Sequence, residues 1–116
     1  MNDIILISGG FDPVHSGHIA LIQEAAKLGD VIVLLNSDNW LRAKKGKEFL
    51  PYKEREIIMG SIKTVIDVLS FNDSDMTCIE GIKKTISKYP DRNIKFANGG
   101  DRNTKTTPET TFCENN

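Results

Sequence analysis

Long apolar runs, an excess of charge and paired cysteines are all missing from this 116-residue sequence. The longest apolar stretch, Val31 to Leu35, falls far short of the roughly 20 residues that a membrane-spanning helix needs. No basic segment precedes the short apolar run Ile4 to Ile7, so no secretory signal is read and a cytoplasmic protein is expected. Lys and Arg number 15 against 16 Asp and Glu, a formal net charge of -1, which excludes a general binder of nucleic acid or membrane surface. Cys78 and Cys113 stand too far apart for a metal-type pair and read as reduced thiols. There is no internal repeat and no low-complexity stretch. The first turn lacks the G-x-G-x-x-G of dinucleotide sites. Gly46-Lys47 is not the end of a phosphate-binding P-loop, because Glu48 follows it and position 41 is Leu41. What remains is the ordinary globular balance, 39% hydrophobic and 27% charged, in a length that holds one domain spanning 1–116.

The informative stretch is Gly9-Gly10-Phe11-Asp12-Pro13-Val14-His15-Ser16-Gly17-His18. It follows the apolar Ile4-Ile5-Leu6-Ile7 and leads into Ile19-Ala20-Leu21-Ile22-Gln23-Glu24-Ala25-Ala26, whose apolar residues have helical spacing. A buried strand, a glycine-rich turn and a helix start come in that order, as at phosphate sites of open α/β sheets. Gly9 and Gly10 are read as letting the backbone approach a ligand closely, and Pro13 as stiffening the turn. His15 and His18 are the only histidines. With a helix beginning near Ser16, both imidazoles lie at its positive end and can donate to one anion. Asp12 is read as fixing the turn.

Gly10-Phe11-Asp12 followed by His15-Ser16-Gly17-His18 resembles the signature of the cytidylyltransferase-like nucleotidyltransferases, the H-x-G-H superfamily. The resemblance runs from about Ile4 to Asp101. It implies a Rossmann-like α/β fold, an open parallel sheet with helices on both faces.

The rest of the chain reads as alternating strands and helices. Strands are expected at Asp3 to Ser8, Asp30 to Asn36, Val65 to Phe71 and Asn93 to Asn98. A first helix runs from about Gly17 to Leu28 and is stopped by Gly29 as a C-terminal glycine. Asn36-Ser37-Asp38 caps a short helix through Trp40, Leu41 and Arg42, and Ala43 to Glu48 is read as a basic loop. Pro51 to Thr64 is a helix with Leu50, Ile57, Ile58 and Ile62 as its apolar stripe and Glu54, Arg55 and Glu56 on its polar side. Asn72 to Asp75 is a turn, and Met76 to Tyr89 a helix weakened by Gly81. Pro108 to Cys113 starts another helix. The family continues with a fifth strand and a Ser/Thr segment; this sequence stops at Asn116, so a C-terminally truncated domain is expected.

The resemblance also implies roles. His15 and His18 would hold the α- and β-phosphates of a nucleoside triphosphate. Lys44, with Lys45 and Lys47, would form a cationic flap over the leaving pyrophosphate, and Arg55 would reach the phosphates from the side. Gly9, Gly10 and Phe11 would line the nucleotide, as would Gly99, Gly100 and Asp101, which lie against base and substrate. The implied reaction is attack by a phosphate oxygen of a small phosphorylated alcohol or sugar on the α-phosphorus, with Mg2+ bridging phosphate oxygens. The small size favours CTP. Asn36-Ser37-Asp38, Lys45-Gly46 and Gly99-Gly100-Asp101 resemble instead the heptose-1-phosphate adenylyltransferase type, which uses ATP. Two other readings stand beside these: a nucleotide-binding module without catalysis, and a hydrolytic metal site at Asp12, His15 and His18. A homodimer is compatible with the resemblance.

Overall fold

The computed structural model describes residues 3–97. Four strands, β1 (Ile4–Gly9), β2 (Asp30–Leu35), β3 (Val65–Leu69) and β4 (Ile94–Phe96), form one sheet in the order β3-β2-β1-β4. Every neighbouring pair is parallel. The helices are α1 (Ser16–Ala26), α2 (Asp38–Lys45), α3 (Tyr52–Gly60) and α4 (Ile79–Lys88). The Rossmann-like α/β expectation therefore holds.

The two central strands explain the core. In β1 and β2 the apolar residues run without alternation because both faces of the sheet are covered. Ile5, Ile7, Val31, Val33 and Leu35 pack with Ile22 and Ala25 of α1 and Met59 of α3. Ile4, Leu6, Ile32 and Leu34 point the other way, onto Cys78 and Ile82 beside and within α4. The chain leaves β1 toward β2 and β3, then crosses back through α4 to place β4 on β1's other side. The order thus reverses at β1, and the crevice beyond the carboxyl end of such a strand is where ligands bind in open α/β sheets.

Several boundaries shift, for physical reasons. Leu28, read as part of the first helix's apolar set, is exposed beyond α1's end at Ala26. Gly29 is not a left-handed cap: a Cβ there would stand 2.2 Å from the carbonyl oxygen of Asp3, which accepts the N–H of Asp30 at 2.8 Å. Close backbone approach, not helix termination, requires glycine. Gly81 has a similar cause, since a Cβ would sit 3.0 Å from both Leu34 Cδ1 and Phe71 Cγ. Of the stripe assigned to the 51–64 helix, Ile62 packs against the core from beyond α3's end at Gly60. Ile57 and Ile58 are exposed, and α3 instead buries Arg55 and Met59. Met76, read as a helix start, has φ 65° and lies before α4.

Candidate functional site

The turn between β1 and α1 delivers both histidines to one spot. His15 is the N-cap of α1, extended at φ -140° and ψ 178°, and its Nδ1 accepts the N–H of Gly17 at 3.0 Å. The N–H of His15 donates in turn to Nδ1 of His18 at 3.1 Å. Helix starts leave N–H groups without intrahelical partners, and the usual answer is a Ser/Thr cap with a reciprocal Glu or Gln. Two imidazoles do that work here. The consequence is chemical. A nitrogen that accepts a hydrogen bond carries no proton, so each neutral ring must carry its proton on Nε2. Both rings therefore keep one donor clear of the capping contacts. The rings stack at 3.8 Å between centroids with 22° between planes. Burial lowers the His18 pKa below its ordinary 6.5, and the neighbouring His15 lowers it further.

Phe11 supports this pair from below. It is buried, holds φ 49°, and meets the His18 ring edge-on at 4.8 Å. The adjacent glycines are needed by the protein's own packing. A Cβ on Gly9 would come within 3.2 Å of the Phe11 ring, and one on Gly10 within 2.5 Å of Leu41 Cδ2. On the side where a Cβ would stand, both glycines are covered by side chains.

Asp12 fixes the turn, as the sequence implies. Its carboxylate is 1% exposed and accepts the N–H groups of Phe49 and Leu50, each at 2.7 Å. Lys45 Nζ lies 2.9 Å from the same carboxylate and donates to the Asp12 carbonyl at 2.7 Å. Burial raises the Asp12 pKa, but Lys45 and the two N–H donors outweigh it and hold the group below 3.8. Asp12 therefore faces away from a shared metal site with the histidines. Among the described residues no three His, Cys, Asp or Glu side chains converge on one point.

The first half of the basic loop expected at Ala43 to Glu48 is helix. Lys44 and Lys45 form the last turn of α2, and Gly46 closes it at φ 93°. The cations favour the negative helix end there. Lys45 is drawn to Asp12 and lies 4.5 Å from the Phe49 ring centre, Lys44 lies 5.4 Å from that of Trp40, and Lys47 is in the exposed turn beyond. Arg55 differs most from its expected role. Its side chain is fully buried and donates to the carbonyls of Leu50 (2.9 Å), Gly10 (3.0 Å) and Asn36 (2.7 Å) and to the Asp38 carboxylate (2.6 Å). It ties the β1 turn, the end of β2 and the start of α3 together and does not face an open phosphate site. Gly99, Gly100, Asp101 and the Pro108 to Cys113 segment lie outside the described residues.

A cleft of about 360 Å³ opens beyond the carboxyl ends of β1 and β2, lined by Ser8, Asn36, Trp40, Lys44, Thr77 and Cys78. A second, of about 340 Å³, lies among Asp3, Arg92 and Lys95 at the strands' amino ends, the wrong end of the sheet for a ligand on this fold. One wall of the first cleft depends on a residue that sequence reasoning missed. Asp73, read as part of a polar turn, is buried and accepts from Asn36 Nδ2 (3.1 Å), Ser37 N (2.8 Å) and Ser37 Oγ (2.7 Å).

The family model described as cytidylyltransferase-like matches residues 6–109. The bifunctional protein HldE of Enterobacter sp. (strain 638) is 33% identical over a match covering 84% of this chain and 23% of the relative. The HldE of Citrobacter koseri is 34% identical, with 84% and 20% covered. This chain thus spans about a fifth to a quarter of the length of these curated relatives. Among solved structures, the lipopolysaccharide core biosynthesis protein of Thermoplasma volcanium GSS1 superposes with TM-score 0.62 at 22% identity, over 85% of this chain and 98% of that one, and so shares the fold. The match of the family model over residues 6–109, most of the length, shows that this chain belongs to the cytidylyltransferase-like family.

Proposed function

We propose that this chain catalyses nucleotidyl transfer from ATP to a small phosphorylated sugar. A phosphate oxygen of the acceptor attacks the α-phosphorus. The new P–O bond forms as the bond to the bridging oxygen breaks, and pyrophosphate departs with that electron pair. No protein nucleophile takes part. Catalysis then consists of alignment and of donors aimed at the charge that develops on the phosphoryl oxygens.

The observation that carries this reading is the tautomer imposed on His15 and His18. Both Nδ1 atoms are occupied by backbone N–H groups, which commits both Nε2–H groups to donation. Lys44, on the cleft side of α2, supplies positive charge to the incoming or leaving phosphate. Asp12 and Arg55 hold the turn in place and stay out of contact with the substrate on this reading. Among the described residues the acidic side chains offer no ready-made metal cage and Asp12 is already engaged, so on this reading Mg2+ enters as part of the substrate, Mg–ATP.

ATP displaces the CTP that small size favours. Asn36-Ser37-Asp38 and Lys45-Gly46 resemble the heptose-1-phosphate adenylyltransferase type. The same resemblance favours a sugar acceptor over a polyol, and the relatives named above are HldE proteins. The test is pyrophosphate release with Mg–ATP or Mg–CTP and a panel of sugar phosphates. Release with ATP and a sugar phosphate supports the reading, and release with CTP alone overturns the choice of nucleotide. Saturable nucleotide binding with no release across the panel would leave a binding module.

A further inference from the structure

The cleft at the carboxyl ends of β1 and β2 has two walls that belong to different parts of the chain. One is α2, which contributes Trp40 and Lys44 one helical turn apart. The other is the segment before α4, which contributes Met76, Thr77 and Cys78. That second wall is not part of a helix or strand. Its internal bonds are local: Asn72 Oδ1 accepts from Ser74 N at 3.0 Å, and Asp75 Oδ1 from Thr77 N at 2.9 Å. Such turns shape a loop without fixing where it stands.

Asp73 fixes it. One carboxylate oxygen takes Asn36 Nδ2 and Ser37 N, and the other takes Ser37 Oγ. Ser37 is also the N-cap of α2, its Oγ accepting the N–H of Trp40 at 3.1 Å. A hydroxyl donates one hydrogen and accepts through its lone pairs. By taking the Ser37 proton, Asp73 orients the hydroxyl so that its lone pair meets Trp40. The loop, the end of β2 and the start of α2 thus meet at one buried carboxylate.

We propose that Asp73 is the positioning residue of the acceptor cleft, setting the distance between the Thr77 wall and the Trp40–Lys44 wall so that a phosphorylated acceptor seats against Lys44. This rests on the transfer reading for the acceptor's identity, but its test needs no turnover. Trp40 is the sole tryptophan, so its emission reports on the cleft alone. Inorganic phosphate serves as the probe, titrated against Trp40 emission in wild type, Asp73→Asn and Ser37→Ala, with Mg–ATP binding followed separately by calorimetry.

The expected result is a saturable phosphate response in the wild type whose midpoint rises fivefold or more in Asp73→Asn. Acrylamide quenching of Trp40 at least doubles, and the ATP affinity stays within twofold. If Asp73→Asn does not fold, Ser37→Ala cuts the same joint from the other side, and its phosphate midpoint rises at least threefold. A residue that only stabilises the fold would lower the unfolding temperature and leave the phosphate midpoint alone, which overturns the proposal. So does a wild type whose Trp40 emission ignores phosphate. Pyrophosphate release is judged in its own assay, so failure of the transfer reading and failure of this one are told apart.

Discussion

The backbone N–H of His15 donates to Nδ1 of His18 at 3.1 Å, so the second histidine of the turn caps the residue that carries the first. With Gly17 N bonded to Nδ1 of His15, the pair doubles as the N-terminal cap of α1 and as a set of two outward donors. Structural and chemical roles reside in different nitrogens of the same rings. That separation sets what each substitution should do.

Replacing His15 by Ala removes a donor and a cap together. Turnover is expected to fall 100-fold or more, the scale of one transition-state donor. Stability falls by about 1 kcal/mol, the scale of one N-cap. His15→Asn keeps a side-chain acceptor in the cap position, so it should recover the stability and not the rate. Urea unfolding and single-turnover kinetics on both variants separate the two roles.

Acid should weaken the fold through His18. Its pKa lies below 6.5 in the folded chain, chiefly from burial and then from the neighbouring His15. The unfolded chain therefore binds this proton more readily. Stability is full above about 6.5, the unfolded value, and is lost as pH falls through the folded value. The lost contact is identifiable: a protonated Nδ1 cannot accept the His15 N–H. Denaturant midpoints between pH 8 and pH 5 should drop more steeply in the wild type than in His18→Gln.

Much of the site was legible from the sequence because its cause is local. An apolar run, two glycines and two histidines three residues apart are neighbours in the chain, and they fold into β1, its turn and α1. The parts that were not legible depend on distant partners. Asp73 finds its donors 36 and 37 residues away, and nothing in Asn72 to Asp75 distinguishes it from an exposed turn acid. The only hint lay at the other end, where Asn36 and Ser37 bring donors to a strand end that needs an acceptor. Arg55 sits between Glu54 and Glu56 and so looked like part of a polar face, whereas carbonyls from three segments close around it. Ile57 and Ile58 drew the stripe to the wrong side of α3 because apolar spacing does not reveal a buried guanidinium.

Cutting Asp12 should cost stability first. Asp12→Ala removes the acceptor of the Phe49 and Leu50 N–H groups and the carboxylate beside Lys45, which keeps its bond to the backbone carbonyl of position 12. The loss is expected at about 1–3 kcal/mol, the cost of leaving the part-buried Leu50 N–H without its acceptor, with little added for the exposed Phe49 or the partly exposed Lys45. The carboxylate's lowered pKa makes its contribution full above pH 3.8, with loss as pH falls through the folded value. Thermal unfolding of Asp12→Ala and Asp12→Asn measures the loss.

Arg55 separates the geometry from the role expected of it. If it only anchors carbonyls and Asp38, Arg55→Met lowers stability by about 3–5 kcal/mol, the cost of breaking a buried pair, and Arg55→Lys restores little because an ammonium lacks the fork. ATP affinity of the folded fraction should change less than threefold. A 50-fold loss of affinity in folded Arg55→Lys would return the arginine to the phosphates.

The central claim is that His15 and His18 present Nε2–H to a nucleotide phosphate, and side-chain nitrogen NMR reads it directly, since the chain holds only these two histidines. The account predicts both rings in the Nε2–H form at neutral pH, with Nε2 resonances that shift on saturation with Mg–ATP while Nδ1 stays unprotonated. An Nδ1–H form in either ring, or two histidines indifferent to Mg–ATP at saturation, would contradict it.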